Sequence, residues 1–393
     1  MDKPAILGGE PVFENLLPIT KPTLPDLGSL KDRLEDIFNT GMITNSKYAR
    51  QFEQMLKEYI GVDHVMALSS CTSGLMLTLK SLDLEGEVII PSFTFSASGH
   101  VLLWNNLKPR FVDIDANTYL IDIEKMKEAI GPDTSAILAV HIFGNPCDIK
   151  TLEEIAKDHE LRLIFDAAHA MGSEYHGDKT GRFGDAEVFS CSPTKLMVTG
   201  EGGIVATNND ELRRKISIGR NYGDDGSYDC EFAGINARMS EMQAILGLES
   251  LSLLEKNLDN RAMLAGTYKK DLGKLEGIKF QEITPNCKTT YKDFSIYIEP
   301  DRFGLNRDEL CEALAKENIM TKKYFYPPLH KQRAYAEFYE DYAQKLPVTD
   351  DVSSNVLSLP LFSHMAIEEV TKVTEAIVRI QGHAGEVKVE LKR

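Results

Sequence analysis

Two side chains set the chemistry that this sequence can do. Asp166, in Phe165-Asp166-Ala167-Ala168-His169-Ala170, ends an apolar strand, and Lys195 follows 29 residues later in Phe189-Ser190-Cys191-Ser192-Pro193-Thr194-Lys195, ahead of Gly200-Glu201-Gly202-Gly203. An amine on a loop and a carboxylate at a strand end suit a cofactor that forms an imine and stores electrons in a protonated ring. Pyridoxal 5'-phosphate (PLP) needs a lysine for the first task and a carboxylate at its pyridine nitrogen for the second. Singly, a lysine is usually a solvated surface residue, and an aspartate after a strand is usually a turn or cap. Their company carries the reading.

Elements that could position them follow a recurrent pattern. Short β-rich runs at 64–69, 87–90, 110–113, 136–142, 161–166, 187–190 and 203–207 alternate with helical periodicity at 72–82, 96–105, 123–130, 149–159 and 210–218. That alternation predicts an α/β fold with a mostly parallel sheet and helices on both faces. Helical stretches at 237–254 and 256–275 lead into a different rhythm: strand 291–298, helix 307–316, strand 319–325 and a last helix 367–381. The division is therefore a large cofactor-binding α/β domain over 1–254, including an N-terminal arm, and a smaller α+β domain over 255–393.

In such a sheet ligands gather beyond the carboxyl ends of the strands. Ser70-Cys71-Thr72-Ser73-Gly74 follows the first run and opens a helix whose N-terminal N–H groups suit a phosphate, although a Ser/Thr cap alone explains the same residues. Pro91-Ser92-Phe93-Thr94-Phe95 follows the second and offers a ring for stacking, against a core aromatic as the plain alternative. His169 lies one helical turn past Asp166, beside the same ring or simply hydrogen-bonded in the structure.

Composition excludes other classes. The chain has 393 residues, 42% of them hydrophobic, enough for more than one core. A formal charge of −16 repels nucleic acid, and no Lys/Arg stripe offsets it. The six cysteines form no CxxC pair, which argues against zinc and against a disulfide framework, so no metal is expected. The first residues lack a basic and apolar leader and no apolar run reaches membrane-spanning length, so a cytoplasmic protein without membrane contact is expected.

The sequence resembles the PLP-dependent sugar aminotransferases of the DegT/StrS type, in the aspartate aminotransferase (fold type I) superfamily. The resemblance runs nearly end to end: Leu7-Gly8-Gly9-Glu10-Pro11, Gly41-Met42-Ile43-Thr44, Thr72-Ser73-Gly74-Leu75, Pro91-Ser92-Phe93-Thr94-Phe95, Val112-Asp113-Ile114-Asp115, His141-Ile142-Phe143-Gly144-Asn145-Pro146, the Asp166 and Lys195 motifs, Asn236-Ala237-Arg238-Met239-Ser240-Glu241 and Tyr326-Pro327-Pro328-Leu329-His330. It implies that Lys195 forms the imine and moves the proton, that Asp166 holds the pyridinium, and that Phe95 and His169 flank the ring. It further implies that Thr72, Ser73 and Ser190 hold the phosphate, that Asn236 reaches the phosphate of a neighbouring subunit in a homodimer with shared sites, and that Tyr326 and His330 approach the substrate. Departures from the common form are Gly144-Asn145-Pro146 in place of Gly-Gln-Pro, Ser70-Cys71-Thr72-Ser73 in place of an Asn-Gly-Thr-Ala start to the phosphate loop, and the loop Leu196-Met197-Val198-Thr199, more apolar than the common form after the lysine.

The expected reaction moves the amino group of L-glutamate to a keto-sugar, first of all a nucleotide-linked 3- or 4-keto-6-deoxyhexose. A free keto-inositol or a keto-sugar phosphate is the alternative acceptor. Deoxysugar 3-dehydratases resemble the family but carry histidine at the imine position, which Lys195 opposes. Cysteine desulfurases need a mobile cysteine that no motif here supplies. A non-catalytic PLP-binding regulator keeps the fold, but no basic DNA-binding segment accompanies it.

Overall fold

Runs that are apolar on both faces need cover above and below, and the chain supplies it by winding helices to alternate sides of one sheet. The computed structural model describes residues 2–342 and 344–393. Its strands are β1 (His64–Leu68), β2 (Glu87–Pro91), β3 (Lys108–Val112), β4 (Thr134–Val140), β5 (Arg162–Asp166), the short hairpin β6 (Glu174–Tyr175) and β7 (Asp178–Lys179), then β8 (Ala186–Ser190) and β9 (Gly203–Thr207). The main sheet has seven strands in the order β1-β9-β8-β5-β4-β2-β3. β9 runs antiparallel to both its neighbours, and the remaining pairs are parallel. This is the expected fold type I architecture.

The helices are α1 (Leu27–Thr40), α2 (Lys47–Ile60), α3 (Cys71–Ser81), α4 (Ser96–Trp104), α5 (Ile123–Ala129), α6 (Ile149–Asp158), α7 (Asp210–Gly219), α8 (Glu241–Ser252) and α9 (Leu254–Leu272). Alternate residues of the strands split between them. Ile164, Val188 and Val205 join α3, α4 and α7 in one core, whereas Phe165, Phe189 and Ile204 meet α2, α5, α6 and α8 on the opposite face. Among the described residues no helix is long and apolar enough to cross a membrane.

Beyond α9 come β10 (Ile278–Phe280), β11 (Cys287–Lys288), β12 (Phe294–Ile298) and β13 (Val356–Leu359). β10, β12 and β13 make an antiparallel sheet, and β11 pairs with β6 of the preceding hairpin. The helices Arg307–Lys316 and Ile367–Gly382 join α9 over this sheet in a separate core that also takes Leu17. The N-terminal segment thus sides with the second core: Ala5 and Val12 donate their N–H groups to the buried Glu317 carboxylate, and Leu17 pairs with Ile319.

Three expected boundaries move. The strand expected at 319–325 makes only isolated bridges, Ile319 to Leu17 and Lys322 to Ser358, because its two ends reach different partners before Tyr326 N–H turns back to Lys323. The strand expected from residue 291 starts at Phe294, since Lys292 N–H is taken by Phe143 and the 291 and 292 carbonyls by Arg261. The helix expected from 237 starts at Glu241 with Ser240 and Gln243 as its capping box. Residues 237 and 238 instead lie along the end of β1, where Ser69 N–H bonds Ala237 and Arg238 bridges Leu68. Asn236 is therefore not a helix cap.

Candidate active site

The carboxyl ends of β4, β5 and β8 open into a cavity of about 450 Å³. Asp166, His169, Ser190, Lys195, Thr72 and Phe95 line it together, although they come from four separate connections. Asp166 is the last residue of a central strand, in register with Val140 on one side and Val188 on the other. The Ser98 hydroxyl donates to one of its carboxylate oxygens at 2.6 Å and the Ala168 N–H to the other at 3.0 Å. Burial pushes its pKa up, while those two donors and the Lys195 ammonium pull it down. Such a carboxylate, short of a full counter-charge, is a ready acceptor for a cationic ring N–H.

Lys195 sits on the loop between β8 and β9. Its own N–H turns back to Ser192, and Cys191 and Thr199 close the loop with an N–H to carbonyl bond. The next residues explain their apolar character: Leu196 and Met197 are buried in the core under α2 and α8, Val198 N–H is held by Ser250, and Asn257 holds the Leu196 carbonyl. Burial, helped by the neighbouring Lys292 ammonium, lowers the Lys195 pKa to about 8. The amine is then a nucleophile much closer to neutral pH than a solvated lysine.

The anion end of the cavity is built by backbone. Ser70 caps α3 by accepting the Ser73 N–H at 3.0 Å, and Ser73 returns the bond through Ser70 N–H at 3.2 Å. Ser73 is thus occupied by capping and does not line the cavity, whereas Thr72 does. Cys71 and Thr72 N–H, first in the helix, have no carbonyl ahead of them and face the dipole's positive end. A Cβ on Gly203 would fall 2.3 Å from Ser70 carbonyl atoms, and one on Gly74 2.9 Å from Val188. The glycines let α3 approach the sheet closely enough for its first turn to border the cavity. Ser190 accepts the Ser192 N–H at 3.4 Å, leaving its own O–H to donate.

His169 has a defined protonation pattern. Its Nδ1 accepts the Phe143 N–H at 3.1 Å, so the ring is neutral with its proton on Nε2. Burial, with Lys195 and Lys292 nearby, holds its pKa well below the ordinary value. Phe95 is 57% exposed at the start of α4, an aromatic face without cover on the cavity rim. Cys71 also lines the cavity, but burial and the Asp166 charge keep its thiol protonated, and burial raises Cys191 to about 12.

Besides Ser73, three expected residues lie off this wall. Tyr326, 54% exposed under the Arg307 guanidinium, borders a neighbouring groove that shares Thr94, Phe95, Tyr324 and Phe325 with the cavity. His330 is buried behind it: Nδ1 pairs with the Ser92 hydroxyl at 2.7 Å and Nε2 lies 3.3 Å from Asp350, so it braces the loop that carries Phe95. Asn236 is exposed and bridges Asn221, away from its own chain's cavity. Sequence reasoning missed Ser98, Lys292 and Asp293. Ser98 lies in the first turn of the helix that follows the Phe95 loop, its hydroxyl 2.9 Å from that of Thr94, which was a usable signal; the Lys292–Asp293 pair gave none, because it was hidden in an expected strand.

A donor set of this kind fits PLP: N–H and hydroxyl groups for a phosphate, a carboxylate for a ring nitrogen, an amine of lowered pKa for an aldehyde and an open aromatic face. Comparison with known proteins agrees. The sequence model of the DegT/DnrJ/EryC1/StrS aminotransferase family matches residues 28–378. The chain is similar to dTDP-4-amino-4,6-dideoxy-D-glucose transaminase of Escherichia coli, 33% identical over 93% of this chain and 99% of that protein. It is also similar to dTDP-3-amino-3,6-dideoxy-alpha-D-galactopyranose transaminase of Aneurinibacillus thermoaerophilus, 34% identical over 84% and 88%. Among solved structures it superposes on DesI, crystallised in the presence of its TDP-sugar product, with a TM-score of 0.93 and 32% identity over 99% of both chains.

Proposed function

This chain belongs to the DegT/DnrJ/EryC1/StrS aminotransferase family, and we propose that it moves the amino group of L-glutamate to a nucleotide-linked keto-6-deoxyhexose in amino-sugar biosynthesis. The reading rests on one observation above all: Asp166, Lys195, Thr72 and Phe95 border a single cavity. The relative matched nearly end to end aminates carbon 4 by its name, and the one matched over less of the chain carbon 3, so the dTDP-linked 4-keto sugar is the first acceptor to try.

The enzyme is a PLP-dependent sugar aminotransferase. When bound, PLP supplies an aldehyde for amines and an electron-accepting ring. Toward it, Thr72, Ser190 and the first N–H groups of α3 would hold the phosphate, Asp166 would accept the ring N–H, and Phe95 would cover one ring face. Lys195 would supply the amine that holds the aldehyde and, once freed by the donor's amine, the base that moves the proton. His169, neutral, would offer its Nε2–H to the bound cofactor. The protonated thiols of Cys71 and Cys191 disfavour desulfurase chemistry.

L-Glutamate alone is expected to convert the loaded enzyme to the amine form of its cofactor with one equivalent of 2-oxoglutarate, read by absorbance and coupled assay, and L-cysteine to release no sulfide. The dTDP-linked 4-keto-6-deoxyhexose should then restore the starting spectrum. Sulfide release, or silence toward every amino acid, would overturn the reading.

The homodimer belongs to the same proposal. Exposed Asn236 and the exposed apolar residues Leu27, Phe38, Met42 and Ile43 suit contact with a second copy. If Asn236 serves the partner's phosphate, Asn236→Ala should lose PLP readily, and mixing it with Lys195→Ala subunits should return activity, because one site of each hybrid carries neither change. Verified subunit exchange without any recovery would show that each site is built within one chain.

A further inference from the structure

A second lysine lines the cavity without a task in the scheme above. Lys292 is 4% exposed and its neighbour Asp293 7%; the Nζ atom contacts both carboxylate oxygens, at 2.7 and 2.8 Å. Two of its three N–H groups are thus engaged, the ring of Tyr324 lies 5.7 Å away, and one N–H remains for the cavity. Burying such a pair is costly, and well-packed apolar residues would serve stability as well or better. The fold nevertheless holds it firmly. Phe143 takes the Lys292 N–H, Thr290 bonds the His169 carbonyl, and the fully buried Arg261 clamps the 291 and 292 carbonyls while anchoring to Ser363.

Charge explains what the pair is for. Among the described residues that line the cavity, the cations are Lys195 and Lys292, against Asp166, Glu201 and Asp293. Lys195 is committed to the cofactor. An α-amino acid must bring a carboxylate next to the very amine that displaces Lys195, whereas a keto-sugar has only hydroxyls around its reacting carbon, and its diphosphate lies farther out. After burial, Lys292 is the largest influence on the Lys195 amine, which places its charge close to where that displacement happens.

We propose that Lys292 is the docking point for the α-carboxylate of the amino donor, and that Asp293 is the built-in counter-ion that keeps the site neutral while the carboxylate-free ketone occupies it. One cavity can then serve two substrates of opposite electrostatic demand without exposing a bare ammonium to the second. The inference rests on the glutamate half of the reaction and names its anchor.

The test separates the two half-reactions in the loaded enzyme. Lys292→Met and the better-tolerated Lys292→Gln should weaken apparent glutamate binding by at least about 30-fold, whereas the loss in the keto-sugar half-reaction, which feels Lys292 only through the Lys195 amine, should be at least about tenfold smaller. The preference for L-glutamate over γ-aminobutyrate, which lacks only the α-carboxylate, should collapse by the same factor, and Lys292→Arg should restore most of it. Calorimetry with unreactive glutarate should show the same loss. Unchanged glutamate binding in both variants, or equal damage to both half-reactions, would overturn the proposal. A parent enzyme that binds glutarate through Lys292 but never reacts with glutamate would instead sink the transaminase reading and leave the carboxylate anchor standing.

Discussion

Lys195→Ala is expected to lower transamination by at least about four orders of magnitude, ~5–6 kcal/mol of barrier, with the fold intact by circular dichroism. The loss is large because one amine does two jobs, holding the cofactor's aldehyde and carrying the proton, and no other described lysine but the paired Lys292 lines the cavity. Borohydride treatment of the loaded parent enzyme should fix the cofactor to Lys195 alone, as read by peptide mapping; label on another lysine would refute the assignment. The amine's environment adds a pH dependence with a definite sign. An ammonium has no lone pair, so capture of PLP by the cofactor-free protein should be slow below the amine's pKa and rise with pH to a plateau above it. Because burial and Lys292 lower that pKa from 10.5 to about 8, the midpoint should fall near 8. Lys292→Met should move the midpoint upward, since a neighbouring positive charge no longer opposes protonation.

Asp166→Asn is the second large effect expected: turnover falls about a thousandfold, ~4 kcal/mol, while bound cofactor is largely retained. The amide keeps the volume and still meets Ala168 N–H, but a neutral partner does not hold a proton on the ring nitrogen, and the ring's capacity to accept electrons goes with it. Ser98→Ala gives the graded comparison. It removes one charge-assisted hydrogen bond of 2.6 Å to the same carboxylate and should cost only about tenfold, the scale of ~1.5 kcal/mol for such a bond. Near-parental rates in Asp166→Asn, or equal losses in both variants, would remove Asp166 from the role.

The sequence by itself determined the chemistry and the framework of the large sheet. Apolar runs covered on both faces have few alternatives to strands of one sheet, so β1, β2, β5, β8 and β9 are legible within one or two residues, and strand ends in an open α/β sheet are where ligands collect. Asp166, Lys195 and Thr72 could therefore be brought to one place by topology alone. Segments whose pairing is non-local were not legible. The stretch 319–325 alternates like a strand yet divides its bonds between residue 17 and residue 358, and Asn236 lies in an extended segment because β1, far away in sequence, claims the backbone just after it.

Only the tertiary structure decided which polar side chains have partners. Ser73, read as a phosphate ligand, spends its hydroxyl on a capping box; His330, read as a substrate contact, lies under Ser92; Asn145 clamps Thr284 and Glu282 across the chain. Lys292, invisible as one more charged residue near a strand, turns out buried beside Lys195. The reason is physical. Backbone periodicity is a local property that residues four apart can reveal, whereas the state of a hydroxyl, an imidazole or an ammonium depends on burial and on the one donor or acceptor within about 3 Å, and that neighbour comes from anywhere in the chain.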